Sequence, residues 1–486
     1  MTLRPGTPLR CVLRRKLLAV GAALAAAVLA AACGSATDSA ADDRPTIPAR
    51  PRPNIVVIMA DDLGYGDISA YDGWIETPAL DAMAAEGVRF TDFHSSGAVC
   101  SPTRAGLLTG RYQQRAGIPN VIYANPAWNR HHGLQPRETT IAERMQAEGY
   151  ATGIVGKWHL GYEVETNPLR HGFDVFRGYV SGNVDYFSHV DGFGNHDWWD
   201  GETNREEPGY VTHLINDHAV AFIEEQADSD RPFFLYVAHE APHFPYQGPN
   251  DAAFRVVGEQ IPETREPEQV RRAYREMVEE MDSGIGAILG ALRRLELAER
   301  TFVFFLSDNG ATAAGSNGPL RGFKASLWEG GHRVPALAWW PGVIAAAGTT
   351  GATMTSIDLA ATVLDVADIL PPEDRPLDGV SLLPHLLGGA APDDRPLFWA
   401  YQQARRPVEQ RAMRQGPWKL IVNGPEGPEL GLYNLDDDPG ETTNLAADEP
   451  DRVAAMGEAL EDWRLEVEEG ATVQPAPPFL PGAVGP

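Results

Sequence analysis

Cysteine is the residue type that this chain has least of. Only three occur in 486 residues, namely Cys11, Cys33 and Cys100. Cys11 and Cys33 belong to an N-terminal segment with the features of an export signal, so the exported body keeps Cys100 alone if Cys33 is acylated. No internal disulfide is then available to it. A lone cysteine in an exported protein is a liability unless it has a chemical task or is chemically changed. Cys100 is therefore the first candidate for a functional residue.

Basic residues are also scarce. The chain has 40 Lys and Arg against 67 Asp and Glu. Five of the basic residues and none of the acidic ones lie in residues 1–33, which leaves a body with 35 basic residues and a formal net charge near −32. Such a surface repels polyanions, and salt screens this repulsion only in part. The charge balance argues against nucleic acid and long polyanions as partners.

Long apolar runs are limited to residues 17–32, and roughly 16 residues are short for a membrane-spanning helix. Basic residues precede this run and three alanines end it, which predicts a secretory signal over residues 1–33. Cys33 directly follows the alanines, as the acylated residue of a bacterial lipoprotein does, although Leu29 lies one place further out than usual. Arg14-Arg15 resembles a twin-arginine export signal, with the general secretory route as the alternative.

The sequence thus predicts an exported protein of the cell envelope or periplasm, attached to the membrane only through a lipidated Cys33. The polar residues 34–53, rich in Ala, Asp and Pro, are expected to form a flexible tether.

The body alternates strand and helix patterns. The apolar, β-branched run 54–60 is typical of a strand buried on both faces of a parallel sheet. Thr77-Pro78 begins a helix that continues to residue 86, before Gly87. The same alternation predicts further helices at 139–148, 211–226, 267–295 and 356–369, and further strands at 151–155, 233–238, 301–306 and 335–339. This order predicts an α/β domain over residues 54–389, a doubly wound sheet with helices on both faces.

The pattern changes after the Pro- and Asp-rich residues 390–396. Short strands are predicted at 397–401, 411–414, 418–422 and 431–434, followed by a helix at 450–468. We expect a smaller C-terminal α+β domain over residues 390–470 with a short antiparallel sheet. Residues 471–486 form the predicted tail, with five prolines and no periodicity.

Oxygen-bearing side chains follow two of the predicted strands. Asp61-Asp62 come after the strand at 54–60, and Asp308-Asn309 come after the strand at 301–306. Parallel strands bring such residues to one edge of the sheet, where ligands bind. Either pair alone is also a common turn sequence. Both pairs together predict all-oxygen ligation of a hard cation such as Ca²⁺ or Mg²⁺.

Cys100 precedes a predicted helix that carries Pro102 in its first turn and Arg104 four residues on. A cysteine there lies in the positive field of unpaired backbone amides, which is an anion site. The alternative is a buried structural cysteine. Lys157 and His159 follow the strand at 151–155 and alternate, so both point to one face if the extended backbone continues. A basic loop with a backbone-bonded histidine is the alternative there.

Six segments in one order resemble the type I, formylglycine-dependent sulfatases of the alkaline phosphatase superfamily. The similarity runs from about residue 53 to 445 and includes residues 418–421 and 432–435. Thr103 stands where serine is commoner in that family, which keeps the hydroxyl. The six segments are Asp61-Asp62, Cys100 to Arg104 with 109–111, 156–161, 242–245, 307–310, and Lys324 with 329–335.

The resemblance implies that Cys100 is oxidised after synthesis to formylglycine, by a formylglycine-generating enzyme as a partner, and that the hydrate of its aldehyde attacks sulfur. It implies one divalent ion, Ca²⁺ with Mg²⁺ as the alternative. The implied ligands are Asp61, Asp62, Asp308, Asn309 and the modified Cys100.

The resemblance also implies roles for the remaining residues of the site. Arg104 holds the hydrate, while Lys157 and Lys324 bind the sulfate. His243 is the acid that protonates the leaving alcohol, and His159 is the base that later takes a proton. His239, four residues before His243, is a rival for the acid.

The expected activity is hydrolysis of aryl, alkyl or carbohydrate sulfate monoesters. A phosphodiesterase or phosphonate monoester hydrolase of the same superfamily is one alternative, and an exported anion-binding lipoprotein is another. Residues 119–132 and 183–199 are expected to line the pocket. They are rich in Trp, Tyr, His and Asn, which suits sugars and aromatic alcohols equally.

Overall fold

The protein is described here by a computed structural model over residues 52–259, 265–402 and 408–476. The predicted signal at 1–33 and all but the last two residues of the predicted tether lie outside the described residues. The predicted tail is described to residue 476. Its Thr472 amide donates to the Arg115 carbonyl at 2.8 Å, so the tail begins against the body.

The described residues form sixteen strands and nine α-helices. The strands are β1 (Asn54–Ala60), β2 (Val88–Phe90), β3 (Phe93–His94), β4 (Ala151–Lys157), β5 (Val175–Tyr179), β6 (Trp199–Asp200), β7 (Thr203–Asn204), β8 (Phe233–Ala238), β9 (Thr301–Ser307), β10 (Ala336–Trp339), β11 (Gly348–Thr350), β12 (Met354–Thr355), β13 (Leu397–Tyr401), β14 (Gln410–Gln415), β15 (Trp418–Val422) and β16 (Leu430–Asn434). The helices are α1 (Pro78–Glu86), α2 (Cys100–Thr109), α3 (Ile141–Ala147), α4 (Val211–Ala227), α5 (Pro267–Arg294), α6 (Glu329–His332), α7 (Ser356–Val366), α8 (Leu383–Leu386) and α9 (Pro450–Glu468).

Ten strands form one mixed sheet in the order β11-β2-β10-β9-β1-β8-β4-β5-β6-β7. The five central strands, β9, β1, β8, β4 and β5, are parallel. The strand predicted at 335–339 is present as β10 but runs antiparallel to β9. An apolar run indicates burial and not direction, so the sequence pattern did not distinguish these two arrangements.

Both faces of the sheet are covered. Along β1, Val57 packs into a cluster with residues of α2, α3 and α7, whereas Val56 packs into a second cluster with residues of α1, α4 and α5. All seven residues of β1 are buried, and each fully buried Val or Ile side chain contributes about 1.5–3 kcal/mol. This layering confirms the predicted doubly wound α/β fold.

Local sequence signals determine where helices begin. Helix α3 starts after Thr140, whose hydroxyl accepts the Glu143 amide while the Glu143 carboxylate accepts the Thr140 amide. Such a reciprocal cap satisfies two amides that have no partner inside the helix. No helix within the described ranges has the length and apolar content needed to cross a bilayer.

Strands β13 to β16 form the predicted C-terminal antiparallel sheet. Leu420 on one face packs against Trp463 of α9. Trp399 on the other face belongs to a cluster with Val99 and Trp328. The small sheet therefore supports the residue just before Cys100 and the segment just after Lys324.

Candidate active site

The candidate site lies at the carboxyl edge of the central strands. Asp61 and Asp62 follow β1, Lys157 ends β4, and Asp308 and Asn309 follow β9. The Asp62 amide donates to Asp308 Oδ1 at 3.2 Å, and Asn309 Nδ2 donates to Asp62 Oδ1 at 2.7 Å. Lys157 pairs with Asp61. The structure thus brings together residues that are up to 248 positions apart in numbering, from 61 to 309, as the strand-end argument predicts.

Cys100 is the first residue of α2, and its thiol faces this cluster. Its Sγ lies 3.5 Å from Asp61 Oδ1, and Lys324 Nζ lies 3.3 Å from the same sulfur. The helix ends at Gly110, which has a φ of 66° and donates its amide to the Gly106 carbonyl at 2.8 Å. Cys100 is only 1% exposed but lines a cavity. A purely structural cysteine would lie among apolar side chains, and this one contacts a carboxylate and an ammonium group.

Arg104 is fully buried beneath the same cluster. Its Nη2 lies 3.2 Å from Asp308 Oδ2 and 3.5 Å from Asp61 Oδ2, and its Nη1 donates to the Lys157 carbonyl at 3.0 Å. One guanidinium group therefore ties together the residues that follow or end β1, β4 and β9.

Lys324 and His243 approach the cluster from loops. Lys324 Nζ lies 2.6 Å from Asp62 Oδ1, and His243 Nε2 lies 3.7 Å from Asp62 Oδ2. Both side chains line the cavity. These two predicted residues therefore lie beside Asp62, at the base of the cavity.

His159 lines the cavity, but its backbone does not have the extended conformation that was predicted. Its φ is 55°, so the extended backbone does not continue to this residue. Its Nε2 lies 2.9 Å from the Ile122 carbonyl, and its Nδ1 has no hydrogen-bond partner in the described part of the chain. A Cβ at Gly182 would lie 2.9 Å from His159 Nε2, so glycine is needed there for the close approach.

His239 is fully buried, and neither of its ring nitrogens has a hydrogen-bond partner among the described residues. It does not belong to the cavity lining, whereas His243 does. Burial lowers the pKa of His239 to about 3. The geometry therefore favours His243 over His239 as the histidine that meets a ligand.

Burial and charge shift the pKa values of the carboxyl groups in opposite directions. Burial raises the pKa of Asp61, but Lys157, His243, Arg104 and Lys324 outweigh it and hold that pKa well below its usual range. Burial raises the pKa of Asp62, and burial together with Asp61 raises that of Asp308 to about 7. The three carboxyl groups thus differ, because the cations nearest Asp61 outweigh its burial, whereas burial dominates at Asp62 and Asp308.

Burial and the charge of Asp61 also raise the pKa of the Cys100 thiol to about 12. The unmodified thiol is therefore protonated at neutral pH, and a thiol is a poor nucleophile compared with a thiolate. Burial and nearby lysines lower the pKa values of His243 and His159 well below the usual range.

The donor set fits a hard divalent cation. Asp62 Oδ2 and Asn309 Oδ1 are buried without a hydrogen-bond partner in the described residues. Atoms of Asp61, Asp62, Cys100 and His243 lie within 4.8 Å of one another. Leaving buried polar atoms unpaired is costly, so these oxygens are suited to a cation that accepts their lone pairs.

A second group of potential metal ligands, His94, Glu329 and His332, is also buried. Here the donor atoms already have partners, because Lys419 Nζ lies 2.9 Å from Glu329 Oε1 and 3.0 Å from His332 Nε2. The same lysine lies 2.9 Å from Glu441 Oε1. This group is a buried ion-pair network that joins β15 to α6.

Replacing Lys419 with methionine is expected to destabilise the protein by about 3–5 kcal/mol, because Glu329 and Glu441 would lose a buried counter-charge. The free energy of unfolding from denaturant titration measures this. Arg170→Met is the matched control, since Arg170 pairs with Glu202 at 2.6 Å with both side chains about half exposed, and its loss should cost at most about 1 kcal/mol. Equal effects of the two substitutions would contradict the network's role.

The cavity above the cluster has a volume of about 970 Å³. Both predicted loops contribute, through residues 121–124 and through Asn183 and residues 191–193. Phe244, Arg255, Glu259, Phe323 and Tyr401 also line it, and none of them was predicted as a site residue, although Phe244 lies in the segment 242–245. Phe244 and Phe323 adjoin His243 and Lys324, which is the one sequence signal that places them near the site.

The chain is similar to known proteins over most of its length. The family described as Sulfatase matches residues 53–369, and that described as N-sulphoglucosamine sulphohydrolase, C-terminal matches residues 323–466. N-acetylgalactosamine-6-sulfatase of Homo sapiens is 39% identical over 372 residues, 71% of this chain and 68% of that protein. Arylsulfatase G of Homo sapiens is 34% identical over 457 residues, 81% and 83% of the two chains. The crystal structure of Ps i-CgsB in complex with k-i-k-neocarrahexaose has a TM-score of 0.77 and 27% identity, covering 87% of this chain and 95% of that one.

Proposed function

We propose that this chain, which belongs to the sulfatase family and is a sulfuric ester hydrolase, removes sulfate from carbohydrate monoesters at the cluster around Cys100. One observation carries the proposal. The only cysteine of the described residues lies within 3.5 Å of both Asp61 and Lys324 at the base of the cavity. A carbohydrate substrate is supported by the relative named N-acetylgalactosamine-6-sulfatase and by the neocarrahexaose bound to Ps i-CgsB.

Cys100 is proposed to serve as the precursor of formylglycine, made by a formylglycine-generating enzyme. As formylglycine it would supply an aldehyde hydrate, an oxygen nucleophile for sulfur. Lys324 and Lys157 are proposed to bind the sulfate oxygens. Their charges, with that of Arg104, stabilise the negative charge that develops on the transferring group.

Asp61, Asp62, Asp308 and Asn309 are the residues that would hold the divalent cation, for which we propose Ca²⁺ with Mg²⁺ as the alternative. The cation would supply Lewis acidity toward a sulfate oxygen. Arg104 has a separate task, since its contacts to Asp308 and Asp61 fix the orientation of both carboxylates.

His243 is proposed to donate a proton to the leaving alcohol, because an alkoxide leaves poorly without one. Its Nε2 faces Asp62 at 3.7 Å, and an incoming sulfate adds further negative charge, which raises the pKa of the imidazole when the acid is needed. His159, on the other side of the cavity base, is proposed to accept a proton in the later step that releases sulfate.

The two alternative functions are less well supported. The family model that matches residues 53–369 and the two relatives described above are sulfatases. A protein that only binds anions has no need of three carboxylates, an amide and two histidines around one cysteine. Export and a lipid anchor at Cys33 are part of the proposal and rest on the sequence of residues 1–33 alone.

The mass of the peptide containing Cys100 tests the mechanism. In active protein, residues 98–104 should be lighter than encoded by the loss of H₂S and the gain of one oxygen. Protein of the Cys100→Ala variant, purified in the same way, should show no change from its encoded mass and no turnover of 4-nitrophenyl sulfate. Unmodified cysteine in a fully active preparation would rule this mechanism out.

A further inference from the structure

Two phenylalanine rings line the cavity next to residues of the site. Phe244 directly follows His243, and Phe323 directly precedes Lys324. Their side chains are 42% and 47% exposed, although both line the cavity. Large apolar side chains exposed inside a cavity indicate contact with a ligand. These two rings are placed to contact the ring that bears the sulfate.

The two arginines that line the cavity are engaged within the protein. Arg265 Nη1 lies 3.0 Å from Asp251 Oδ2, and its guanidinium lies 5.0 Å from the ring centre of Phe254. Arg255 is 5% exposed and donates to the Val190 carbonyl at 3.3 Å. Neither arginine is therefore presented to the cavity as an isolated positive charge.

Asp191, an acidic residue of the same wall, is engaged in the turn that follows it. It accepts the backbone amides of Phe193 and Asn195 at 2.8 and 2.9 Å. Its carboxylate therefore orders the loop at 191–195, and its negative charge stays on the cavity wall.

Glu259 differs from these groups. Its side chain is exposed, lines the cavity and makes no hydrogen bond or ion pair with any other described residue. Its backbone is held in place, because Gly258 donates to the Gly194 carbonyl at 2.8 Å. A Cβ at Gly194, where φ is 84°, would lie 2.9 Å from the Glu259 amide nitrogen. A negative charge is thus carried on a fixed turn beside the aromatic surface.

From this arrangement we infer that the enzyme prefers sulfate esters whose only anionic group is the scissile sulfate, and that Glu259 sets this preference. The inference rests on the proposed function for the position of the sulfate. A second sulfate or a carboxylate on the substrate ring would meet Glu259, whereas Arg255 and Arg265 of the same wall already have partners within the protein. The net charge of the body near −32 acts in the same direction at longer range.

Two hexosamine sulfates form a matched pair of probes. N-acetylglucosamine 6-sulfate carries one anionic group, and glucosamine 2-N,6-O-disulfate carries a second at the amino nitrogen. Each is tested as an inhibitor of 4-nitrophenyl sulfate hydrolysis by the metal-loaded enzyme at low salt. We expect the disulfate to have an inhibition constant about tenfold higher, since like charges in one cavity repel.

Three variants distinguish an effect of the Glu259 side chain from an effect of the protein's net charge. Glu259→Gln should reduce the ratio of the two inhibition constants about threefold. Glu259→Lys should make the two inhibition constants equal. Glu458→Lys is the control, since Glu458 is an exposed glutamate of α9 that does not line the cavity, and it changes net charge equally. We expect Glu458→Lys to leave this ratio unchanged.

Equal inhibition of the unaltered enzyme by the two sugars would overturn the inference, and so would a control variant that reduces the ratio as much as Glu259→Lys. Failure of the proposed function has a different signature, namely no hydrolysis of 4-nitrophenyl sulfate. In that case the dissociation constants of the two sugars, measured by calorimetry on the same variants, still decide the role of Glu259.

Discussion

Removing the divalent cation is expected to lower turnover of an aryl sulfate by at least about 10³-fold, and adding Ca²⁺ or Mg²⁺ is expected to restore it. The physical reason is that the cation would stabilise the negative charge that develops during the reaction. Lewis-acid stabilisation of a developing charge is worth several kcal/mol, and about 1.4 kcal/mol corresponds to a factor of ten in rate. Activity after exhaustive chelation, with elemental analysis of the same sample, measures the effect.

Substitutions of the oxygen donors make this test specific. Asn309→Ala should abolish metal binding with a moderate loss of stability, because Asn309 Nδ2 also donates to Asp62 Oδ1 at 2.7 Å and to the Gly310 carbonyl at 3.0 Å. Asp308→Ala should also abolish it, at a larger cost in stability, since this carboxylate pairs with Arg104 at 3.2 Å. Neither variant should be rescued by added metal.

A buried carboxylate outside the site provides the control. Asp282 accepts the amides of Ala79 and Leu80 at 3.0 and 2.8 Å, so it joins α5 to the start of α1. Asp282→Asn should leave both metal content and turnover unchanged. Full activity in a preparation without detectable metal would refute the proposed role of the cation.

The cluster itself could be predicted from sequence because its members stand at strand ends. The runs 54–60 and 301–306 identify buried strands, and the parallel arrangement of β1 and β9 then brings Asp61 and Asp308 to one edge. The Thr77-Pro78 sequence located the start of α1, and the helix predicted at 139–148 lies within two residues of α3 at either end. These features depend on local patterns and on one general rule of α/β sheets.

Other features depend on contacts between distant segments, which local patterns do not encode. The antiparallel direction of β10 is one case, since its apolar sequence suits either direction. The left-handed backbone at His159 is another, because an alternating sequence had indicated an extended one. Lys419 and Tyr401 come from the C-terminal sheet, and nothing in their local sequence indicates that one joins a buried ion-pair network and the other lines the cavity.

The assignment of the acid to His243 has the sharpest kinetic consequence. A positioned general acid contributes about 10²–10⁴-fold, and its contribution falls as the leaving group becomes more acidic. His243→Ala should therefore lose a factor of this size with an alkyl or sugar sulfate. With a nitrophenyl sulfate the loss should be small, because a nitrophenolate leaves almost without protonation.

His159→Ala should behave differently, since the proposed role of His159 lies after the alcohol has left. Its turnover should fall by a similar factor with good and poor leaving groups, and alcohol release should show a burst before the slow step. Single-turnover measurement of the released alcohol distinguishes the two histidines, whose rings both line the cavity.

His239→Ala is the matched control for His243→Ala, because both residues lie in the segment that follows β8 and only His243 lines the cavity. A series of aryl and alkyl sulfates gives the dependence of the rate on the pKa of the leaving alcohol. We expect a steeper dependence for His243→Ala than for the unaltered enzyme and an unchanged one for His239→Ala. Loss of stability scales all substrates alike and leaves this slope unaltered, so the slope reports the proton donor itself. A steeper slope in His239→Ala alone would transfer the acid to His239, which would require that buried ring to move into the cavity.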